Sequence, residues 1–118
     1  MSYNFNDQTP IYMQIIEHIK KQIICQKYLP KQKLPSVREL SFEYQVNPNT
    51  VVKALFELEN MGLIFTDRTN GKYVTDNEIL IDKIKQQTIK NLVDEFYCSM
   101  QALGIERESV LQILMGKE

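Results

Sequence analysis

The sequence has no tryptophan, one histidine and two cysteines among its 118 residues. It contains no glycine-rich phosphate loop and no cluster of metal ligands. The spacings of His18, Cys25 and Cys98 fit none of the common zinc sites, so reduced, idle or buried thiols are favoured over a shared zinc ion. We therefore expect neither an enzyme nor a protein with a cofactor.

Long apolar runs and an excess of charge are also missing. No run approaches the roughly 20 apolar residues of a membrane-spanning helix, and "MSYNFNDQTP" lacks the pattern of a signal peptide. These absences predict a cytoplasmic protein without a membrane partner. The net charge is −1, with nine Lys and Arg against eight Asp and Glu in residues 1–76. Since small DNA-binding domains usually present a basic surface, charge alone does not indicate a nucleic-acid partner.

The sequence does contain clear signals for a first helix. Thr9-Pro10 predicts its start, with the threonine hydroxyl as cap and proline in the first turn. The helix should fade before Pro30, and "LPKQKLP" is predicted to be a connector. Isoleucines recur at helical spacing and predict one apolar face: Ile11, Ile15, Ile16, Ile19, Ile23 and Ile24.

Two shorter helices and a hairpin are predicted next. Ser36 and Glu39 have the spacing of a capping box, and this second helix should end near Tyr44. Asn47-Pro48 opens a third helix, which Gly62 can end in the left-handed conformation. The runs 63–67 and 72–75 predict strands, and the Asn-Gly pair between them is a strong turn signal. This order predicts a mainly α fold with a small β-hairpin, a winged helix-turn-helix over residues 1–76.

Residues 77–118 are predicted to form a two-helix dimerisation tail. Asn77 can cap a long helix that runs to about Ala102 and is ended by Gly104, and residues 106–115 can form a short last helix. The long helix carries an apolar stripe, which we interpret as a homodimer interface; the alternative is that the two tail helices cover each other. The stripe consists of Ile81, Ile84, Ile89, Leu92, Val93, Phe96, Met100 and Leu103.

Two helices joined by a tight turn can place the second one in the major groove of DNA. The residues predicted to face DNA from the start of that helix are Asn47, Asn49, Thr50 and Lys53. Arg38 is predicted to reach the phosphate backbone, and the hairpin tip with Arg68, Asn70 and Lys72 to touch an adjacent groove or phosphate. Each residue also has an ordinary structural explanation: Asn47 as a helix cap, Asn70-Gly71 as a turn, and the others as solvated surface.

The ordered set "LPSVREL", "VNPNTV" and "ELENMGLI" resembles the DNA-binding domain of the GntR family of bacterial regulators over about residues 9–75, and is most similar to the YtrA-like subfamily. The resemblance implies DNA contacts by Arg38, Asn49, Thr50 and Lys53, with Ser36 near a phosphate and Gly71 at the wing. It also implies a short helical tail used for dimerisation.

Three departures from the family pattern bear on these implications. Lys31 stands where the family commonly has glycine, so the turn there can differ. Pro48 and Val52 replace arginines of many members, which removes the base readout that those arginines provide. Thr69 replaces the first of two usual wing glycines.

Together these features predict a DNA-binding repressor that acts as a homodimer on a near-palindromic operator. The alternative is a winged helix that has become a protein-interaction module. A small-molecule effector between tail and winged domain, or at the dimer seam, stays open, because the sequence shows no site for it.

Overall fold

The computed structural model describes residues 3–116, and they form five helices and one antiparallel hairpin. The elements are α1 (Ile11–Ile24), α2 (Val37–Tyr44), α3 (Pro48–Asn60), β1 (Ile64–Asp67), β2 (Gly71–Val74), α4 (Glu78–Ala102) and α5 (Arg107–Leu114). This confirms the predicted fold class. Two compact units divide between Asp82 and Lys83, within α4. The domain boundary after residue 76 stays a prediction.

The ends of α2 and α3 are fixed by the predicted caps. The Glu39 amide donates to Ser36 Oγ at 3.0 Å, and the Ser36 amide donates to Glu39 Oε1 at 2.9 Å. The Asn49 amide donates to Asn47 Oδ1 at 2.8 Å. Gly62 follows α3 with φ of +81°, a conformation that glycine adopts without a Cβ clash. The three predicted caps are therefore confirmed.

The predicted cap of α1 is wrong. Pro10 is the residue that flanks the helix, and no side chain caps the first turn. The hydroxyl of Thr9 stands one residue too early for that role. Gln14 instead fastens the preceding segment through its side chain, which donates to the carbonyls of Thr9 (2.8 Å) and Asn6 (3.0 Å) and accepts from the Asn6 amide (3.1 Å).

The core of the first unit lies where α1 and α2 pack against α3 and where β1 follows it. Burying each Ile, Leu or Val side chain contributes about 1.5–3 kcal/mol before entropic costs. Four of the six predicted isoleucines are buried, whereas Ile11 is exposed and Ile24 half-buried. The buried apolar residues are Ile15, Ile16, Ile19, Ile23, Leu34, Leu40, Tyr44, Val51, Ala54, Leu55, Leu58, Leu63, Ile64 and Val74.

The hairpin forms as predicted, except that β1 begins one residue later than expected and β2 begins and ends one residue earlier. β1 pairs with β2 from Ile64 opposite Val74 to Asp67 opposite Gly71, and residues 68–70 make the turn. The Asn70 amide donates to the Asp67 carbonyl at 3.3 Å, and Gly71 has φ of +103°. The glycine thus begins β2 in a conformation that a side chain would strain.

The segment predicted as a plain connector forms a third backbone edge beside β2. The Leu34 amide donates to the Lys72 carbonyl at 2.8 Å, and the Val74 amide donates to the Gln32 carbonyl at 2.9 Å. Lys33 pairs with Tyr73 as an isolated bridge. The hairpin is therefore anchored to the chain that leads into α2.

The second unit consists of most of α4 together with α5. The 25-residue α4 ends at Ala102, and Gly104 has φ of +80°, as predicted. Within this unit Val110 is buried, and the Arg107 guanidinium lies 4.5 Å from the centre of the Tyr97 ring. No residue of α4 is buried.

Candidate nucleic-acid interface

The turn between α2 and α3 projects the first turn of α3 from the first unit. Gln45 has φ of +57°, and the Val46 amide donates to the Ser41 carbonyl at 3.0 Å, which closes the end of α2. The Asn47 cap follows directly, so the two helices are joined by a short turn. This is the arrangement in which a helix-turn-helix presents its second helix to DNA.

One face of α3 is buried in the core and the other is open to solvent. Val51, Ala54, Leu55 and Leu58 point inward. Asn49 and Lys53 are exposed, while Thr50 is half-buried at the edge of the open face. Three of the four side chains predicted from sequence to face DNA therefore lie on or beside the accessible face of this helix.

Arg38 and Asn47 line the same surface groove, which has a volume of about 850 Å³. Both side chains are exposed. Ser36, at the cap of α2, is exposed as well, although its Oγ already accepts from the Glu39 amide. A hydroxyl that accepts one hydrogen bond can still donate its own proton. The start of α2 therefore offers an arginine that lines the groove and, at the cap, an exposed hydroxyl group.

Lys53 is held in place by an aromatic ring. Its Nζ lies 4.0 Å from the centre of the Tyr12 ring, a cation–π contact between α3 and α1. Such contacts contribute about 0.5–1 kcal/mol at exposed sites. The ammonium group keeps its charge and its donors, so Tyr12 orients a cation that the sequence predicts to meet DNA.

Of the three side chains predicted to make contacts at the wing, two are exposed to solvent and the third is hydrogen-bonded. Arg68 and Asn70 are exposed in the hairpin turn. Lys72 Nζ instead donates to Glu59 Oε1 at 3.0 Å and to Thr66 Oγ1 at 2.7 Å. The bond from Lys72 lowers the pKa of the Glu59 carboxyl. Lys72 thus ties the wing to α3 in this structure, and a phosphate contact would have to compete with Glu59.

An apolar surface lies beside the residues predicted to contact DNA, and of its members the sequence indicated only Val52, as a replacement for an arginine of many relatives. Val52 and Phe56 are half or more exposed and follow Asn49 by three and seven positions, on the same face of α3. Helical spacing from Asn49 is the signal that could have found them. Phe42 on α2 is 87% exposed and lines the groove beside Arg38; no pattern in the sequence indicated it.

His18 is engaged within the first unit. Its Nδ1 lies 2.6 Å from the Tyr44 hydroxyl and its Nε2 lies 3.1 Å from the Gln22 amide nitrogen. Burial lowers the pKa of this histidine. Both cysteines are exposed and free. Within residues 3–116, no three His, Cys, Asp or Glu side chains are placed to hold a metal ion.

The helices of the described chain, residues 3–116, do not include one with both the length and the apolar character needed to cross a bilayer.

Solved structures of transcriptional regulators are similar to this structure. A GntR family transcriptional regulator from Listeria monocytogenes is 37% identical, superposes with a TM-score of 0.88, and covers 97% of this chain and 100% of its own. The AraR DNA-binding domain in complex with operator ORX1 is 29% identical, with a TM-score of 0.58, and covers 64% of this chain and 95% of its own.

Sequence comparisons agree with the structural ones. The HTH-type transcriptional repressor YtrA of Bacillus subtilis (strain 168) is 40% identical over 79% of this chain and 76% of its own length. The family described as "Bacterial regulatory proteins, gntR family" matches residues 11–74. These residues include α1, α2, α3 and the hairpin. The chain therefore belongs to the gntR family of bacterial regulatory proteins.

Proposed function

We propose that this protein is a sequence-specific DNA-binding repressor that acts as a homodimer. The observation that carries the proposal is the open polar start of α3, where Asn49 and Lys53 are exposed on a helix whose other face is the core. A domain of similar fold, the AraR DNA-binding domain, is known in complex with an operator. YtrA, a repressor, is similar over most of its length.

The contacts divide into those that position the protein and those that read sequence. Arg38, which lines the groove, and Ser36, the exposed cap of α2, contact phosphates. Asn49 and Thr50 contact base edges, where asparagine pairs two-fold with adenine and threonine bonds a base or touches a thymine methyl. Lys53 reaches a phosphate or guanine.

The wing supplies the outer contacts. Arg68 and Asn70 project from the hairpin turn and reach the adjacent minor groove or a phosphate. Gly71 lets the backbone turn there because its φ is +103°. Lys72 contacts a phosphate once its ammonium group has left the carboxylate of Glu59.

Val52 adds an apolar contact to the major groove. It is half exposed and stands one turn beyond Asn49 on the same face. An aliphatic side chain in this place can contact the methyl group of thymine. We therefore expect the operator to carry thymine where arginine-containing relatives would read guanine.

The tail supplies the dimer. Ile89, Leu92, Val93, Phe96 and Leu103 of the predicted stripe are exposed in the single chain, and Ile81, Ile84 and Met100 are half-buried. A helix of this length spans about 37 Å. Because a long apolar stripe marks an interface, a second copy of the chain covers it. A two-fold dimer then places two α3 helices on a near-palindromic operator.

A protein-interaction module is the second candidate function. Phe42, almost fully exposed beside the groove, favours it, as does the net charge of −1. In that case the groove would receive a partner protein rather than a phosphate backbone.

Since the repressor works on chromosomal DNA, we propose a cytoplasmic location.

Fluorescence anisotropy across a salt series tests the proposal. The protein should bind DNA from upstream of its own gene more weakly as salt rises, because phosphate contacts release counterions. Arg38→Ala should weaken binding to all DNA and reduce the salt slope by about one, the loss of one phosphate contact. Lys21→Ala, which removes an exposed charge of α1 outside the proposed surface, is the matched control.

Three outcomes are informative. Equal effects of the two variants would remove Arg38 from the interface. Weak and equal binding to every fragment would contradict sequence-specific recognition. Absence of binding at low salt would favour the protein-interaction module.

A further inference from the structure

The first unit contains a second cavity, separate from the DNA-facing groove. It lies between the segment that precedes α1, α1 itself and the C-terminal part of α3, and its volume is about 580 Å³. Small-molecule sites typically have about 300–1,000 Å³. The cavity is therefore large enough for a ligand with one or two rings.

The walls of the cavity are aromatic and apolar. Tyr3 and Tyr12 contribute rings, and Met13 and Met61 contribute thioether side chains. Methionines adapt their shape to a ligand because they are unbranched and flexible. The amide of Gln14, which also lines the cavity, is used up in fastening the preceding segment. Asn6, Thr9 and the hydroxyls of the two tyrosines remain as neutral polar groups beside the apolar walls.

The charged groups that line the cavity are all acidic. They are Glu17 on α1 and Glu57 on α3, and the lining contains neither lysine nor arginine. Glu17 pairs with Lys20 at 2.9 Å. Within residues 3–116, Glu57 makes no ion pair. The cavity therefore combines apolar walls with one carboxylate outside the ion pairs of residues 3–116. The ammonium of Lys53, one turn earlier on α3, lies over the Tyr12 ring instead.

The ring of Tyr12 already contacts a cation. The Lys53 ammonium already lies 4.0 Å from its centre, so the ring functions as a cation site. Tyr12 is consequently shared between the cavity and the side chain of α3 that we propose to contact DNA.

We propose that this cavity binds a small organic cation with an apolar body, such as an aryl-substituted ammonium ion. Its charge lies near Glu57 and its apolar part lies against the tyrosines and methionines. A cation beside Tyr12 repels Lys53 and competes for the ring, so Lys53 loses its fixed orientation. This second step rests on the proposed function. With the ligand bound, the Lys53 side chain has to be ordered again before it can contact DNA, and this cost weakens DNA binding. The ligand therefore acts as an inducer.

Binding is tested without DNA. Benzyltrimethylammonium is the probe and phenylacetate the anion of similar size, with ¹³C-methyl NMR of methionine as the readout. The cation should shift the signals of Met13 and Met61 and leave that of Met115, on the second unit, in place. Glu57→Gln should weaken this binding several-fold, and Glu95→Gln, an exposed carboxylate of α4, should not. Equal shifts by the anion, or shifts by neither probe, would overturn the proposed site.

The coupling is tested separately with the full protein on DNA. At constant ionic strength set with sodium chloride, benzyltrimethylammonium should weaken DNA binding by a few-fold, and Tyr12→Leu should remove this effect. Methyl shifts without any change in DNA affinity would overturn the coupling through Lys53. If the protein binds no DNA even without probe, the proposed function fails, while the methyl shifts still decide whether the cavity is a cation site.

Discussion

Lys31 occupies a backbone conformation that side chains disfavour. Its φ is +68°, and the left-handed region costs a non-glycine residue roughly 1–2 kcal/mol. The GntR family commonly has glycine at this position, and the left-handed conformation gives the physical reason for that preference. The ion pair of Lys31 Nζ with Asp76, at 3.9 Å between two exposed side chains, offsets little of the cost because surface pairs contribute about 0–1 kcal/mol.

Replacing Lys31 by glycine should therefore stabilise the first unit. Relative to Lys31→Ala, which also removes the charge but keeps the Cβ, Lys31→Gly should raise the free energy of unfolding by about 1 kcal/mol. Urea denaturation of the two variants measures the difference. If Lys31→Gly were no more stable than Lys31→Ala, the strain assigned to this turn would be absent.

Residues with strong local chemistry were predictable, and those that depend on the rest of the fold were not. Ser36, Asn47 and Gly62 were found because a cap is fixed by residues close in sequence. The ion pair of Lys72 with Glu59 joins positions 13 apart across α3 and the hairpin, so no local pattern indicates it. Phe42 belongs to the same class, because a helix position shows its exposure only when its neighbours are placed.

At the scale of elements, all five helices and both strands follow from periodicity and turn signals. The third backbone edge beside β2 does not, because residues 31–34 lack the alternation of a strand and receive their partners from the hairpin. The extent of α4 could be predicted from its start and stop signals. Its oligomeric role could not, because an exposed stripe does not name the surface that covers it.

The stripe of α4 makes a direct prediction. Phe96→Asp should convert the proposed homodimer into monomers, raising the dimer dissociation constant at least about a hundredfold, because a buried unpaired charge costs several kcal/mol. Sedimentation velocity reports the change. Asn91→Asp is the matched control, since Asn91 lies on the other side of α4 and its Oδ1 accepts from Gln87, a role that aspartate keeps.

Two results would contradict this role of α4. One is a Phe96→Asp variant that stays dimeric, which would place the interface elsewhere. The other is equal dissociation in both variants, which would indicate a general effect of negative charge on the helix.

At the scale of the whole molecule, a small and nearly neutral chain has to obtain enough affinity for DNA. One winged helix offers few cations: Arg38, Lys53 and Arg68 are the ones outside ion pairs on the proposed surface of the described chain. Joining two copies converts the second contact into an intramolecular one and raises the overall affinity without new contacts. In this account, sequence recognition by α3 therefore depends on the affinity that dimerisation adds.

Selection of duplexes from a random DNA library tests this account most directly. A dimer that reads DNA with two α3 helices should enrich a near-palindromic sequence whose half-sites lie about one helical turn, or a multiple of it, apart. Enrichment of a single unpaired half-site would contradict the dimer, and a library without any enriched sequence would contradict sequence-specific recognition by α3.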